Sequence, residues 1–223
     1  MATPYVSIVL EDIPSTQDEA AQRAIDEPVL VVATSQSAGR GRLGRPWQTA
    51  PRALAASLAV RPHGWDSARF PLLSLVAGLA ARTALGQGLT CKWPNDLFLA
   101  EAKVAGLLLE AVEDVVVIGL GANLWWPESP PGFGSLFEAD PGPDVARELA
   151  SRWCDDLLAR IERGPAVWGH EEYRRACATV GRSIRWNPGG HGVAIDVDSD
   201  GRLVVENESG VIGLTSGEIW EIR

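Results

Sequence analysis

The sequence predicts an α+β fold: a mixed or antiparallel sheet flanked by helices, followed by a small all-β module. Three observations predict it. Apolar, β-type runs at residues 90–93, 104–113 and 115–124 follow one another too closely for helical crossovers, which favours antiparallel or mixed pairing. The Ala/Leu-rich stretch 67–85 has the periodicity of a helix, and two further helices are expected over 145–163 and 165–177. From Gly181 onward, short β-type runs alternate with Gly, Asn and Asp turns. The 223 residues suit one ordinary domain plus a small appendage. We place the larger unit at 1–177 and the β-module at 178–223.

Each element has a local reason. Residues 6–10 read as a short strand, Pro14 turns the chain, and Ser15-Thr16-Gln17-Asp18 opens a helix that Ser15 can cap and Asp18 favours in its first turn. That helix is expected to run to about Asp26, with Ala20, Ala21, Ala24 and Ile25 on its inner face. Residues 29–34 are β-branched and apolar behind Pro28, hence a buried strand. A loop rich in Gly and Arg fills 35–47, and 53–60 resumes a strand. Pro94-Asn95-Asp96 is a turn by composition, followed by a short polar hairpin before Lys103. Glu113-Asp114 makes a tight turn between two strands. The stretch 126–144 holds five prolines and several glycines, which predicts a surface loop. The terminal module should contain strands near 183–186, 192–197, 202–206, 211–213 and 218–222.

Composition excludes several function classes. A formal net charge of -9 makes the molecule repel phosphate backbones, so general nucleic-acid binding is not expected and any anion site must be local. Cys91, Cys154 and Cys177 lie far apart with no CxxC spacing, which argues against a zinc site or a disulfide framework and fits a reducing cytoplasm. His63, His170 and His191 are scattered, so no metal centre is expected. No signal-peptide pattern and no apolar run of membrane-spanning length is present in the sequence.

Three segments carry candidate chemistry. In Gly39-Arg40-Gly41-Arg42-Leu43-Gly44-Arg45-Pro46-Trp47, arginine forks can read phosphate or carboxylate oxygens while glycines let backbone approach an anion. The spacing is neither a Walker loop nor a strand-linked GxGxxG, and a solvated basic loop is the alternative. In Lys92-Trp93-Pro94-Asn95-Asp96 and Lys103-Val104-Ala105-Gly106, Lys103 opens an apolar strand, where a charge without a partner is costly. It either waits for an anion or protects a sheet edge. In Gly119-Leu120-Gly121-Ala122-Asn123-Leu124, strand glycines mark a bulge or a close approach by ligand or backbone.

Ser15-Thr16, then Gln36 ahead of GRGRLGRPW, then KWPND, KVAG and GLGANL, in that order and ending in a small β-module, closely resemble the biotin protein ligase family over nearly the whole chain. The first strand already starts near Val6, so the resemblance is to the monofunctional form, without a DNA-binding domain or repressor activity. It departs in having Gln17 where many relatives carry Asn, and in an idiosyncratic loop after Asn123.

The resemblance implies a class II synthetase-like catalytic domain with an SH3-like β-barrel behind it. It also implies two steps, in which biotin and ATP form biotinyl-AMP and biotin then passes to a lysine of a biotin carboxyl carrier protein. Lys103, Arg40, Arg42 and Asp96 would be catalytic. Lys103 would offset the repulsion between carboxylate and triphosphate, and Asp96 would receive the acceptor lysine. Biotin would be bound by Ser15, Thr16, Gln17, Gln36, Arg40, Gly41, Arg42, Lys103 and Gly106. ATP would meet Arg40, Arg42, Arg45, Trp47, Lys92, Asn95, Lys103 and Asn123, with Mg²⁺ on its phosphates and Trp125 or Trp126 as candidates to cover adenine. A homodimer is allowed. A lipoate or octanoate ligase or transferase of the same fold, or a non-catalytic biotin-binding regulator, are the alternatives.

Overall fold

A computed structural model describes residues 3–23, 27–215 and 219–221. The expectations for Ala24, Ile25, Asp26, Glu218 and Ile222 lie outside the described residues.

The larger sheet is mixed. Its strands are β1 (Val6–Ile13), β2 (Val29–Gln36), β3 (Arg52–Val60), β4 (Leu89–Lys92), β5 (Asp96–Leu99), β6 (Ala102–Val112) and β7 (Val115–Trp125). They lie in the order β1-β2-β3-β7-β6-β5-β4. β1 and β2 are parallel, joined through α1 (Thr16–Arg23), and every other neighbouring pair is antiparallel. β5 corrects the expected polar hairpin. Four residues are too few to show a period, yet Asp96–Leu99 pairs with both β4 and β6.

Alternation along each strand sorts side chains to two faces. On β2, Leu30 and Val32 point into the main core, while Val29 and Val31 join Ala20 of α1, Ala59 and Val117 on the other side. α2 (Leu72–Leu85) and α3 (Asp144–Glu162) cover the main-core face, with the indoles of Trp65 and Trp153 donating to the carbonyls of Ile161 and Ala77. These bonds let large aromatic rings be buried without an orphaned N–H. α1 covers the opposite face near β2 and β3, and the rest of that face carries the cavity described below.

The C-terminal module is a five-stranded antiparallel sheet of β8 (Ser183–Trp186), β9 (Gly190–Val197), β10 (Leu203–Asn207), β11 (Gly210–Leu214) and β12 (Ile219–Glu221), ordered β11-β10-β9-β8-β12. Ile184, Ala194, Val197, Leu203 and Val205 are buried in the same apolar cluster as α2 and β4. The indole of Trp93 donates to the Gly201 carbonyl, and α4 (His170–Ala176) sends Arg174 to Asp196. The module is thus anchored directly behind the KWPND turn.

The proline-rich segment is more ordered than a bare surface loop. Lys103 N–H donates to Gly132 O and Gly134 N–H to Lys103 O, while Leu136 and Phe137 N–H groups bond to Asn123 and Leu124. The prolines end regular structure, but the remaining N–H groups still need partners, and they find them on β6 and β7. No helix among the described residues is long and apolar enough to cross a membrane.

Candidate active site

A cavity of about 400 Å³ lies on the α1 side of the sheet. Val117 belongs to the α1-side cluster, so two and four residues on, Gly119 and Gly121 face the same way. The register Asp96↔Gly106 and Gly106↔Gly121 lines up three strands across the cavity floor. Trp47 lies on these glycines: a Cβ on Gly121 would come within 2.8 Å of its ring, and one on Gly106 within 3.0 Å. A Cβ on Gly119 would come within 2.6 Å of Gln17 Oε1. The strand glycines are therefore close-approach positions for an indole and an amide.

One wall is a buried polar network. Gln36 Oε1 accepts from Thr16 N–H at 2.7 Å and stands 3.1 Å from Thr16 Oγ1, which is 2.8 Å from Ser57 Oγ. Ser57 Oγ is in turn 2.9 Å from Gln17 Oε1, and Gln17 Nε2 donates to the carbonyls of Val117 and Leu108 at 3.0 and 3.4 Å. Each hydroxyl carries one proton. Two protons cannot serve three oxygen–oxygen contacts at once, so this wall has acceptor capacity in excess and suits a ligand that brings N–H donors. Gln17 thus keeps a polar role, spanning Ser57 and the β6–β7 backbone.

Cations define the rest of the cavity. Lys103 Nζ is 2.7 Å from Asp96 Oδ1 and 5.5 Å from the Trp47 ring centroid, so its charge has a carboxylate partner within the protein. The β5 strand missed above supplies that partner. Arg42 donates to the neutral Asn95 Oδ1 at 3.1 Å, and burial holds its guanidinium below the ordinary arginine range. Desolvation with a neutral partner favours capture of an anion. Arg40 is different, being bound by Asp18 and Glu110. Hydrogen bonds from Arg40 hold the Asp18 carboxyl below its ordinary value, and the same carboxylates raise the pKa of Arg40. Lys92 packs over the Phe98 ring at 5.0 Å.

The structure brings together Ser15, Thr16, Gln17, Gln36, Arg40, Gly41, Arg42, Arg45, Trp47, Lys92, Asn95, Asp96, Lys103 and Gly106 around this one cavity. Asn123 is not among the lining residues. It is fully buried under the 133–137 segment, its Nδ2 3.5 Å from Lys103 O and its Oδ1 without a partner. Trp125 and Trp126 do not line the cavity either; Trp47, Trp93, Phe133 and Trp220 do. Sequence reasoning passed over Ser57, Phe133 and Trp220. Ser57 had a signal: it is the one hydroxyl in an otherwise apolar strand after Arg52. Phe133 had none, because a backbone bridge to Lys103 delivers it. Among the described residues, no three His, Cys, Asp or Glu side chains gather where they could hold a metal ion.

Comparison with known proteins adds an independent line. Residues 9–123 match the sequence profile of the biotin/lipoate A/B protein ligase family. A biotin--[acetyl-CoA-carboxylase] ligase of Mycobacterium tuberculosis is 32% identical over 222 residues, covering 92% of this chain and 83% of that protein. One of Paracoccus denitrificans is 31% identical over 235 residues, covering 92% and 96%. Among solved structures, the biotin protein ligase of Aquifex aeolicus in complex with biotin and ATP has a TM-score of 0.82 at 25% identity, covering 98% of this chain and 99% of that one.

Proposed function

Because the chain belongs to the biotin/lipoate A/B protein ligase family, we propose that its cavity activates biotin with ATP and passes the biotinyl group to a lysine of a biotin carboxyl carrier domain. The observation that carries this reading is the meeting, in one cavity, of an acceptor-rich polar wall with Arg42 and Lys103. The wall of Thr16, Gln17, Gln36 and Ser57 suits the two N–H groups of biotin's ureido head. The Trp47 face and the glycine floor suit its apolar body, and the cations suit a carboxylate meeting a triphosphate.

In the first step a biotin carboxylate oxygen attacks the α-phosphorus of ATP; the bond to the bridging oxygen breaks and pyrophosphate leaves. The two reactants repel. Lys103, moving from Asp96 to the reacting oxygens, offsets that repulsion; a charge pair at ~4 Å is worth roughly 4 kcal/mol at an effective dielectric of about 20. Arg42 holds the developing charge from the loop side. In the second step a neutral lysine amine attacks the acyl carbon and AMP departs. Asp96, which pairs with Lys103 in the cavity, takes the amine's proton once Lys103 has moved to the reacting oxygens. Mg²⁺ accompanying ATP would neutralise phosphate charge, and among the described residues no three His, Cys, Asp or Glu side chains gather to hold it.

Ile219 and Trp220 of the C-terminal module line the cavity, which supports a part for that module in contacting nucleotide or acceptor. Biotin is preferred over lipoate because the relatives reported above are biotin ligases and because lipoate has no ureido N–H groups for the acceptor-rich wall. The test is pyrophosphate exchange with each acid: exchange driven by biotin supports the reading, and exchange driven by lipoate alone overturns it.

A further inference from the structure

We propose that Asp18 and Glu110 are positioning residues that latch the arginine–glycine loop over the cavity through Arg40, so that Arg40 anchors the loop while Arg42 and Lys103 face the substrate. The proposal rests on the adenylation reading for what the loop encloses.

A guanidinium has five N–H donors, and those of Arg40 are all engaged. Nε and Nη2 donate to Oε1 and Oε2 of Glu110 at 3.3 and 3.0 Å. Nη1 and Nη2 donate to Oδ2 and Oδ1 of Asp18 at 2.9 and 2.7 Å. The second Nη1 hydrogen goes to Ser15 Oγ at 3.2 Å. A substrate anion finds no donor left on this side chain unless a two-pronged carboxylate pair is given up. Two carboxylates around one cation also leave a local negative charge, a poor seat for a phosphate.

The three partners come from two separate elements, the entry of α1 and the strand β6. Asp18 lies on α1 and Glu110 on β6, so one side chain ties the loop to both. Within itself the loop is a small closed hairpin: Gly41 N–H bonds to Arg45 O, Trp47 N–H to Gly39 O, and Arg40 bridges Pro46. Its tip residue Leu43 has φ 58° and is 75% exposed, a left-handed conformation that a leucine keeps only when the surroundings hold it. Among its outward attachments are the bonds of Arg40, the Arg42–Asn95 bond and Trp47 on its glycines, with Ser37 and Ala38 N–H bonding Ile13 and Pro14 at its base. The bond to Ser15 Oγ also couples the latch to the polar wall.

The test uses Glu110→Gln and Asp18→Asn, singly and combined, in the full chain. Both side chains are about half exposed, so neutral isosteres leave the fold intact. Three quantities are measured: trypsin cleavage after Arg42 in ligand-free protein, release of preformed adenylate after dilution, and the KM for ATP. The latch predicts faster loop cleavage, adenylate release faster by about tenfold in the double variant, equivalent to ~1.4 kcal/mol, and an unchanged KM for ATP. Unchanged cleavage or unchanged release overturns the proposal. So does a lower KM for ATP, which would mean that Arg40, once freed, takes a phosphate. Wild-type protein that makes no adenylate would instead sink the functional reading, and loop cleavage would still decide the latch.

Discussion

The Lys103 ammonium sits 2.7 Å from Asp96 Oδ1, on adjacent strands of the mixed sheet, with the Trp47 indole beside it. The pair keeps a cation ready in the cavity without leaving it uncompensated. Replacing Lys103 by alanine should lower biotin adenylation by about a thousandfold, the rate equivalent of roughly 4 kcal/mol. Circular dichroism should show the fold retained, because the pair is partly exposed. Single-turnover adenylate formation near the wild-type rate would remove Lys103 from the mechanism.

Gly121→Ala should weaken biotin binding by tenfold or more. Its new methyl would meet Trp47 at 2.8 Å and push the indole off the floor. Titration calorimetry with biotin checks this. An unchanged affinity would show that the indole's seat is unimportant to the ligand.

Gln17 and Gly119 should be energetically coupled. Gln17→Ala strips Ser57 and two backbone carbonyls of a partner, at a cost of about 1–3 kcal/mol. Gly119→Ala should also destabilise, since its Cβ would lie 2.6 Å from Gln17 Oε1. In the double variant that collision is gone, so the combined loss should be smaller than the sum. Urea unfolding of all four forms gives the coupling; strict additivity would contradict the contact.

The three thiols should be silent in the native protein. Cys91, Cys154 and Cys177 are all buried, and burial pushes the Cys91 thiol up to about 12. At pH 8 a thiol reagent should label none of them until denaturant is added. The sign of the linked stability follows. The unfolded chain, with Cys91 near its ordinary 9.0, loses its proton first, so stability is full below about pH 9 and declines as pH rises toward 12. Rapid labelling of folded protein at pH 8 would contradict this burial.

Much of the fold could be read from the chain because its strands and helices are written in local periods. Residues 29–34 and 115–124 are apolar runs with turn signals on their flanks, and both became strands. Strand order was less accessible. β7 turns back to pair with β3 as well as β6, and no local pattern encodes which distant strand it meets. The four-residue β5 was too short to carry a period.

The site shows the same division. Motifs named Arg42, Lys103, Asp96 and Gly106; the sheet register brings the last three together and the arginine–glycine loop adds Arg42. The Arg40 latch was illegible, because its carboxylates lie 22 and 70 residues away. Asn123 lies away from the cavity lining for a geometric reason. It continues the face of Gly119 and Gly121, but the segment after Pro130 folds back and covers it.

The most direct test of the account is to incubate the protein with ATP, biotin and a biotin carboxyl carrier domain and to weigh the carrier intact. Wild-type protein should add one biotinyl group to the carrier, and Lys103→Ala should add none in the same interval. A carrier left unmodified by wild type, or modified equally by Lys103→Ala, would contradict the claim that this cavity joins a carboxylate to a nucleotide through Lys103.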